Sequence, residues 1–207
     1  MRKLVLLLLC VCLCGCVSQT VEPDPTPDSQ GSSHGCAVLA PCGDEKADMS
    51  AYENFMDSDH VFLEASFEEV LDAIEKKQTF VLYIGFSTCP WCLEAMPILN
   101  EVAKEFDASI SYINTRPDNT RESELRVLEN EGYAAFRDVV IDVLSENDEG
   151  EKHLYVPFVF FFKEGQIVSY HEDTFPEHDA HERTMTQEEI ERLTEIYRDG
   201  FESLLSE

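Results

Sequence analysis

The sequence predicts an α/β domain. Three observations carry that expectation: short apolar runs rich in aromatic and β-branched residues, stretches with apolar residues at helical spacing, and an order in which the two kinds alternate. Residues 79–86 (TFVLYIGF) and 155–162 (YVPFVFFF) are apolar enough throughout to predict strands buried on both faces. After the first of them, Leu93, Met96, Leu99, Val102, Ala103 and Phe106 recur at the spacing of a helix face.

Taken in order, residues 60–65 predict a first short strand. Ser66 and Glu69 then make a capping box for a helix bearing Phe67, Val70, Leu71 and Ile74, closed by Lys76 and Lys77 where cations suit the helix dipole. The central strand over residues 80–86 delivers Cys89, and the helix after it runs to about Phe106 with Pro97 as an expected kink. Residues 109–114 predict the next strand, broken by Arg116-Pro117-Asp118-Asn119. Two helical stretches follow within 121–146, the first with Leu125, Val127 and Leu128, the second with Phe136, Val139, Val140, Val143 and Leu144, and Gly132 as the break. A polar loop at 145–152 leads to the strand over 155–162, and Lys163-Glu164-Gly165-Gln166 turns it into a partner strand at 167–170. The last helix starts near Gln187, is capped by Thr186 and Glu189, and carries Ile190, Leu193, Ile196, Tyr197, Phe201 and Leu204 on one side.

The N-terminal part reads differently. Arg2 and Lys3, an apolar core over residues 4–13, and Leu13-Cys14-Gly15-Cys16, which resembles a bacterial lipobox, predict a signal peptide over residues 1–15. That core is too short to span a bilayer as a stable helix. The pattern implies Cys16 as the lipid-bearing first residue of the mature chain, with cleavage nearby to a soluble secreted protein as the alternative. Of eight cysteines, Cys10, Cys12 and Cys14 then leave with the signal, and Cys16, Cys36, Cys42, Cys89 and Cys92 remain.

Residues 16–59 predict a lipid-anchored flexible linker. Pro, Ser, Asp, Gly and Thr dominate from Ser18 to Gly43, a composition that cannot bury enough apolar surface to fold. Within it, Cys36 and Cys42 suggest a local disulfide in an oxidising compartment. Alternatives are a second thiol pair passing electrons to Cys89 and Cys92, or a metal site with His34 that lacks a recognisable fourth ligand. Residues 60–207 have the length of one domain with a full core.

The net charge of −27 becomes −29 when the two cations Arg2 and Lys3 leave with the signal. Clustered Lys and Arg are absent, which argues against a nucleic-acid partner. Acidic surface charge favours solubility and keeps an anchored body off anionic lipid heads. His60, His153, His171, His178 and His181 show no metal-ligand spacing and read as surface or loop residues.

Chemistry concentrates at Cys89-Pro90-Trp91-Cys92. A Cys-x-x-Cys pair alone could be half of a zinc site, but a buried strand before it and a helix after it favour a redox pair. Cys89 is expected at the helix N-terminus, exposed, where unpaired N–H groups and the dipole favour its thiolate. Cys92 is set back along the helix, suited to resolving a mixed disulfide at Cys89. Trp91 predicts either an apolar lip for substrate or a ring packed on its own domain. Glu94 reads as a solvated first-turn residue, with a proton relay as the alternative.

Four ordered features of residues 60–207 resemble the thioredoxin superfamily: the Cys-x-x-Cys after the central strand, Pro97 five residues beyond Cys92, the strand opened by Val156-Pro157, and the Gly-containing hairpin before a final helix. The resemblance implies a central mixed β-sheet flanked by helices, here with a helical insertion before the cis-Pro strand. It implies a cis Pro157 against the reactive pair, and a Val156 backbone that pairs with an extended substrate chain. The lipobox together with the motif's wording is similar to thioredoxin-like lipoproteins and to bacteriocin transport accessory proteins of Gram-positive bacteria. One departure matters. Where thioredoxins carry a buried aspartate six residues before the first motif cysteine, this chain has Tyr83, a poor base at neutral pH.

The functional expectation is an extracytoplasmic thiol–disulfide oxidoreductase, anchored on the outer face of the cytoplasmic membrane and acting on protein or peptide thiols and disulfides. Cys89, Cys92 and Pro157 are the expected catalytic residues, and Pro90, Trp91 and Val156 the expected substrate contacts. No metal and no cofactor beyond the Cys89/Cys92 disulfide is expected. The partners would be clients and a membrane electron donor, with the protein a monomer. The competing expectation is a non-catalytic accessory module for peptide export; metal capture by Cys89 and Cys92 is a third, without companion ligands nearby.

Overall fold

The computed structural model describes residues 39–53 and 55–206. In chain order these form β1 (Phe62–Glu64), α1 (Phe67–Glu75), β2 (Phe80–Gly85), α2 (Pro90–Glu105), β3 (Ile110–Asn114), α3 (Arg121–Leu128) and α4 (Glu131–Val140). After a 3-10 turn come β4 (Ser145–Glu146), β5 (Lys152–His153), β6 (Phe158–Lys163), β7 (Gln166–Glu172) and α5 (Gln187–Leu205). The main sheet has the order β1-β3-β2-β6-β7. Its β1, β3 and β2 run parallel, while β6 and β7 are antiparallel, which makes the sheet mixed.

Every residue of β2 is buried because the sheet has a core on each face. Successive strand side chains alternate sides, so Val81 and Tyr83 enter one core while Phe80, Leu82 and Ile84 enter the other. The first core is closed by α2 and α5, through residues such as Met96, Leu99, Tyr197 and Phe201. The second is closed by α1 and α4, through Phe67, Val70, Phe136 and Val140. The helices α3 and α4 form the insertion between β3 and β6.

The capping expectations match the geometry. Ser66 and Glu69 form a complete capping box at α1, as do Thr186 and Glu189 at α5. Each such cap contributes about 1 kcal/mol by satisfying N–H groups that a helix start leaves free. The β6–β7 turn is two residues, Glu164 (φ 50°) and Gly165 (φ 75°), with Lys163 opposite Gln166. Two positive φ values in succession give the turn whose twist fits adjoining strands. Helix α2 continues through Pro97.

Several expectations require correction. The chain before residue 60 is not free linker throughout, because residues 39–53 pack on the domain. Ala40 donates its N–H to Thr79 O at 2.9 Å, Ala47 to Phe62 O at 3.1 Å, and Glu64 to Glu45 O at 2.8 Å. Ala47, Met49 and Tyr52 are buried in the α2/α5 core, and Cys42 in the other core. Isolated apolar residues in a polar, acidic stretch carry no period, so these non-local contacts have no sequence signature. Cys16, Cys36 and the proposed signal peptide lie outside the described residues, and so does one half of the expected Cys36–Cys42 pair. Cys42 is a buried thiol whose N–H donates to Ser111 Oγ at 2.8 Å.

Gly132 is not the break between α3 and α4. The break falls at Asn130, whose side chain accepts the N–H of Gly132 at 2.6 Å and caps α4, placing the glycine inside that helix's first turn. Of the expected apolar faces, Phe136 and Val140 turn inward while Leu125 and Val139 face solvent. The polar loop forms the small β4–β5 hairpin. The apolar run at 155–162 enters the sheet only at Phe158, leaving Tyr155 exposed and Val156 half-buried at its approach.

Candidate active site

The end of β2 and the start of α2 create the site. The Cys89 side chain caps α2, its sulfur accepting the backbone N–H of Cys92 at 3.3 Å, and Pro90 fills the first helical position, where an absent N–H costs nothing. Opposite, the Val156–Pro157 peptide is cis, and the Cys89 thiol donates to Val156 O at 3.7 Å. The N–H of Asp173, just past β7, donates to Pro157 O at 2.8 Å. Four elements therefore converge on Cys89: α2, and the near ends of β2, β6 and β7.

Both cysteines are thiols, and their surroundings separate them. The Cys89 thiol is held below its ordinary value, first by the Cys92 thiol hydrogen bond and then by the N–H groups of Cys92 and Trp91, against the opposing effect of burial. Cys92 is pushed well above its ordinary value, mainly by burial. One thiol is thus favoured as thiolate and the other is held protonated. Cys89 is not exposed as expected; it is only 4% accessible, because the helix start seats its sulfur beneath the Val156 carbonyl.

Since the Cys89 thiol is held below its ordinary value, its thiolate forms at lower pH than that of an unperturbed thiol. Alkylation of the reduced protein with iodoacetamide should therefore reach half its maximal rate at Cys89 at a lower pH than for a free cysteine, about 8.5, while Cys92 labels only after denaturation. Peptide mapping across a pH series reads both; a Cys89 midpoint at or above that of free cysteine would contradict this assignment.

The expected substrate contacts divide. Trp91 and Val156 line a cavity of about 280 Å³ beside the cysteines together with Tyr155, Glu172 and Asp173, whereas Pro90 is not part of that wall. Burial raises the carboxyls of both Glu172 and Asp173. Trp91 also packs on its own domain: its Nε1–H donates to His178 O at 3.3 Å, and its ring meets His181 edge-on at 4.8 Å.

Sequence reasoning missed what holds that tryptophan. His178 is not a surface histidine; its side chain is fully buried, with Nε2 3.2 Å from Glu94 Oε1. Glu94 is not simply solvated, since its other oxygen accepts the N–H of Met185 at 2.6 Å. Residues 178–185 are thereby clasped to α2 by one carboxylate. The segment has no periodic pattern, and only the three-dimensional pairing reveals it.

Tyr83 occupies the position noted as the departure. It is fully buried, its hydroxyl has no hydrogen-bond partner, and Gly85 is what leaves room for it: a Cβ there would lie 2.6 Å from Tyr83 Oη and 3.0 Å from Cys92 Sγ. Among the described residues no group of three or more His, Cys, Asp or Glu side chains is arranged to hold a metal, and no helix is long and apolar enough to cross a membrane.

No protein-family model and no curated protein matches the chain. Solved structures do resemble it. One described as a putative oxidoreductase with a thioredoxin fold is 18% identical, with a TM-score of 0.39 over 55% of this chain and 83% of its own. Thioredoxins O2 and O1 from Arabidopsis thaliana, both in the oxidised state, are 16% and 17% identical, with TM-scores of 0.36 and 0.34. They cover 59% and 58% of this chain and 88% and 89% of their own. The chain's own strand order, mixed sheet and flanking helices match the architecture expected from the sequence, a central mixed sheet flanked by helices.

Proposed function

We propose that the protein is a thiol–disulfide oxidoreductase whose Cys89/Cys92 pair exchanges with protein or peptide thiols and disulfides. One observation carries the reading: a thiol favoured as thiolate at a helix start, facing the carbonyl before cis Pro157, with a second, masked thiol one helical turn behind it. Cys89 thiolate attacks a client disulfide sulfur, expelling one client thiolate and leaving a Cys89–client mixed disulfide. Cys92 then attacks the Cys89 sulfur, forming the Cys89–Cys92 disulfide and releasing the second client thiol; the reverse sequence oxidises a client dithiol. Val156, half-buried before the strand begins, offers its backbone to an extended client chain, and Trp91 walls the adjoining cavity.

The N-terminal signal and Cys16 support placing this chemistry on the outer face of the cytoplasmic membrane, on a lipid tether that ends where Leu39 meets Thr79. A membrane electron donor would then recycle the pair.

The low accessibility of Cys89 favours a second reading, an accessory module for peptide export whose cysteines form only a structural bond. The reduction potential separates the two. Equilibration with glutathione buffers should place the Cys89/Cys92 couple between about −120 and −270 mV; a value below about −300 mV would mark an inert bond and remove the enzymatic reading.

A further inference from the structure

We infer that Glu94 and His178 are positioning residues for client binding: as a pair they hold the Trp91 ring in place as a wall of the cavity beside Cys89. The inference deepens the exchange reading above and rests on it, because a client chain lying along Val156 meets that wall with the side chains next to its cysteine.

The clasp is continuous from helix to ring. Trp91 and Glu94 are three residues apart on α2 and share a face of it. Glu94 Oε1 is 3.2 Å from His178 Nε2, and Glu94 Oε2 accepts the N–H of Met185 at 2.6 Å. The carbonyl of the same His178 accepts the Trp91 Nε1–H at 3.3 Å, and the His181 ring meets the indole edge-on at 4.8 Å. The side chain of His178 is therefore bound by one residue of α2 while its main chain binds another. Its N–H donates to Phe175 O at 3.0 Å, and Phe175 and Met185 are buried in the α2/α5 core on either side of it. Arg183, paired with Glu189 of α5 at 2.6 Å, steadies the exposed stretch between.

The donor set explains why a carboxylate stands at residue 94. Two donors reach it, one at each oxygen, and a carboxylate accepts through both where an amide has a single acceptor oxygen. The His178 side chain has no accessible surface, so water does not compete for that contact and losing it is costly. The clasp ends on the residue that lies between the two cysteines in sequence, and the half-buried ring it holds forms part of the cavity wall. A ring fixed before the client arrives has already lost its rotamer freedom, so binding does not have to supply that cost.

Trp91 is the one tryptophan of the protein, so its fluorescence reads the ring directly. The test combines acrylamide quenching of the reduced full chain with steady-state reduction of insulin disulfides, dithiothreitol being the reductant. Glu94→Ala should raise the Stern–Volmer constant at least about twofold and KM for insulin at least about threefold, with kcat within about twofold, as expected when binding is lost without change in the chemical step. Alkylation of Cys89 by iodoacetamide, too small to need the wall, should stay within about twofold. His178→Leu should match Glu94→Ala, whereas His178→Gln, which keeps an N–H donor, should stay near the wild type. In a Trp91→Ala background, Glu94→Ala should raise KM no further, because its effect passes through the ring.

Unchanged quenching in Glu94→Ala, or a KM that rises again when Glu94→Ala is added to Trp91→Ala, overturns the inference. Should circular dichroism show Glu94→Ala unfolded, Glu94→Gln decides: it keeps one of the two acceptors, and quenching or KM equal to the wild type's overturns the inference. Absence of insulin reduction by the wild type would instead remove the exchange reading and the client role with it, while the quenching series still decides whether the pair holds the ring.

Discussion

Cys92→Ser should convert the protein into a covalent trap, while Cys89→Ser should leave it unable to form any mixed disulfide through the motif. The asymmetry follows from the site. Cys89 has a helix start donating N–H groups to its sulfur and lies under the Val156 carbonyl, so it meets the client first. Cys92 has no accessible surface, and burial holds its proton in place, so its only reachable electrophile is a disulfide already formed on Cys89. Without the Cys92 thiol the mixed disulfide has no intramolecular exit. Without the Cys89 thiol there is no nucleophile, since a serine hydroxyl does not ionise near neutral pH, and reduction of a client disulfide should fall by at least about a thousandfold.

Intact-mass measurement after incubation with glutathione disulfide, followed by peptide mapping, reads the result. One glutathione on Cys89 of Cys92→Ser, removed by dithiothreitol, is expected. An adduct on Cys92 of Cys89→Ser, or none on Cys89 of Cys92→Ser, would reverse or dissolve the assigned roles.

The place of Cys89 and Cys92 at the start of α2 was legible because its determinants are local. A strand of continuous apolarity, a Cys-x-x-Cys and a helical period lie within one stretch of chain, and each restricts the backbone without help from distant residues. The two capping boxes were legible for the same reason. What escaped is non-local. Glu94 was readable as a first-turn residue, but its partners His178 and Met185 lie 84 and 91 residues away. Tyr52 comes from a stretch whose composition predicts a tether, and only its hydrogen bond to Tyr112 reveals a packed residue. Cys89 was expected to be exposed because a helix N-terminus ordinarily faces solvent; the cover comes from Val156, 67 residues along the chain.

Phe160→Ala should cost about 3–5 kcal/mol of folding stability, a large part of the roughly 5–15 kcal/mol available to a domain of this kind. The size of the effect follows from the alternation along β6. Phe161 faces the α2/α5 core against Phe201, whereas Phe158, Phe160 and Phe162 face the other core. There Phe160 is the middle of a ladder, 4.1 Å from the Phe158 ring and 5.9 Å from that of Phe162, with Phe136 of α4 edge-on at 5.7 Å. No part of it is accessible to solvent. Truncation removes a full aromatic burial and leaves a void between rings whose strand is pinned on both sides by β2 and β7, so collapse into the space is restricted. Phe160→Leu keeps most of the volume and should cost markedly less. Urea unfolding followed by circular dichroism measures both. A loss below about 1.5 kcal/mol for Phe160→Ala would mean that the second core is not packed as described. Because β6 also carries Val156–Pro157 to the cysteines, the folded fraction of Phe160→Ala should show faster alkylation of Cys89 as that cover loosens.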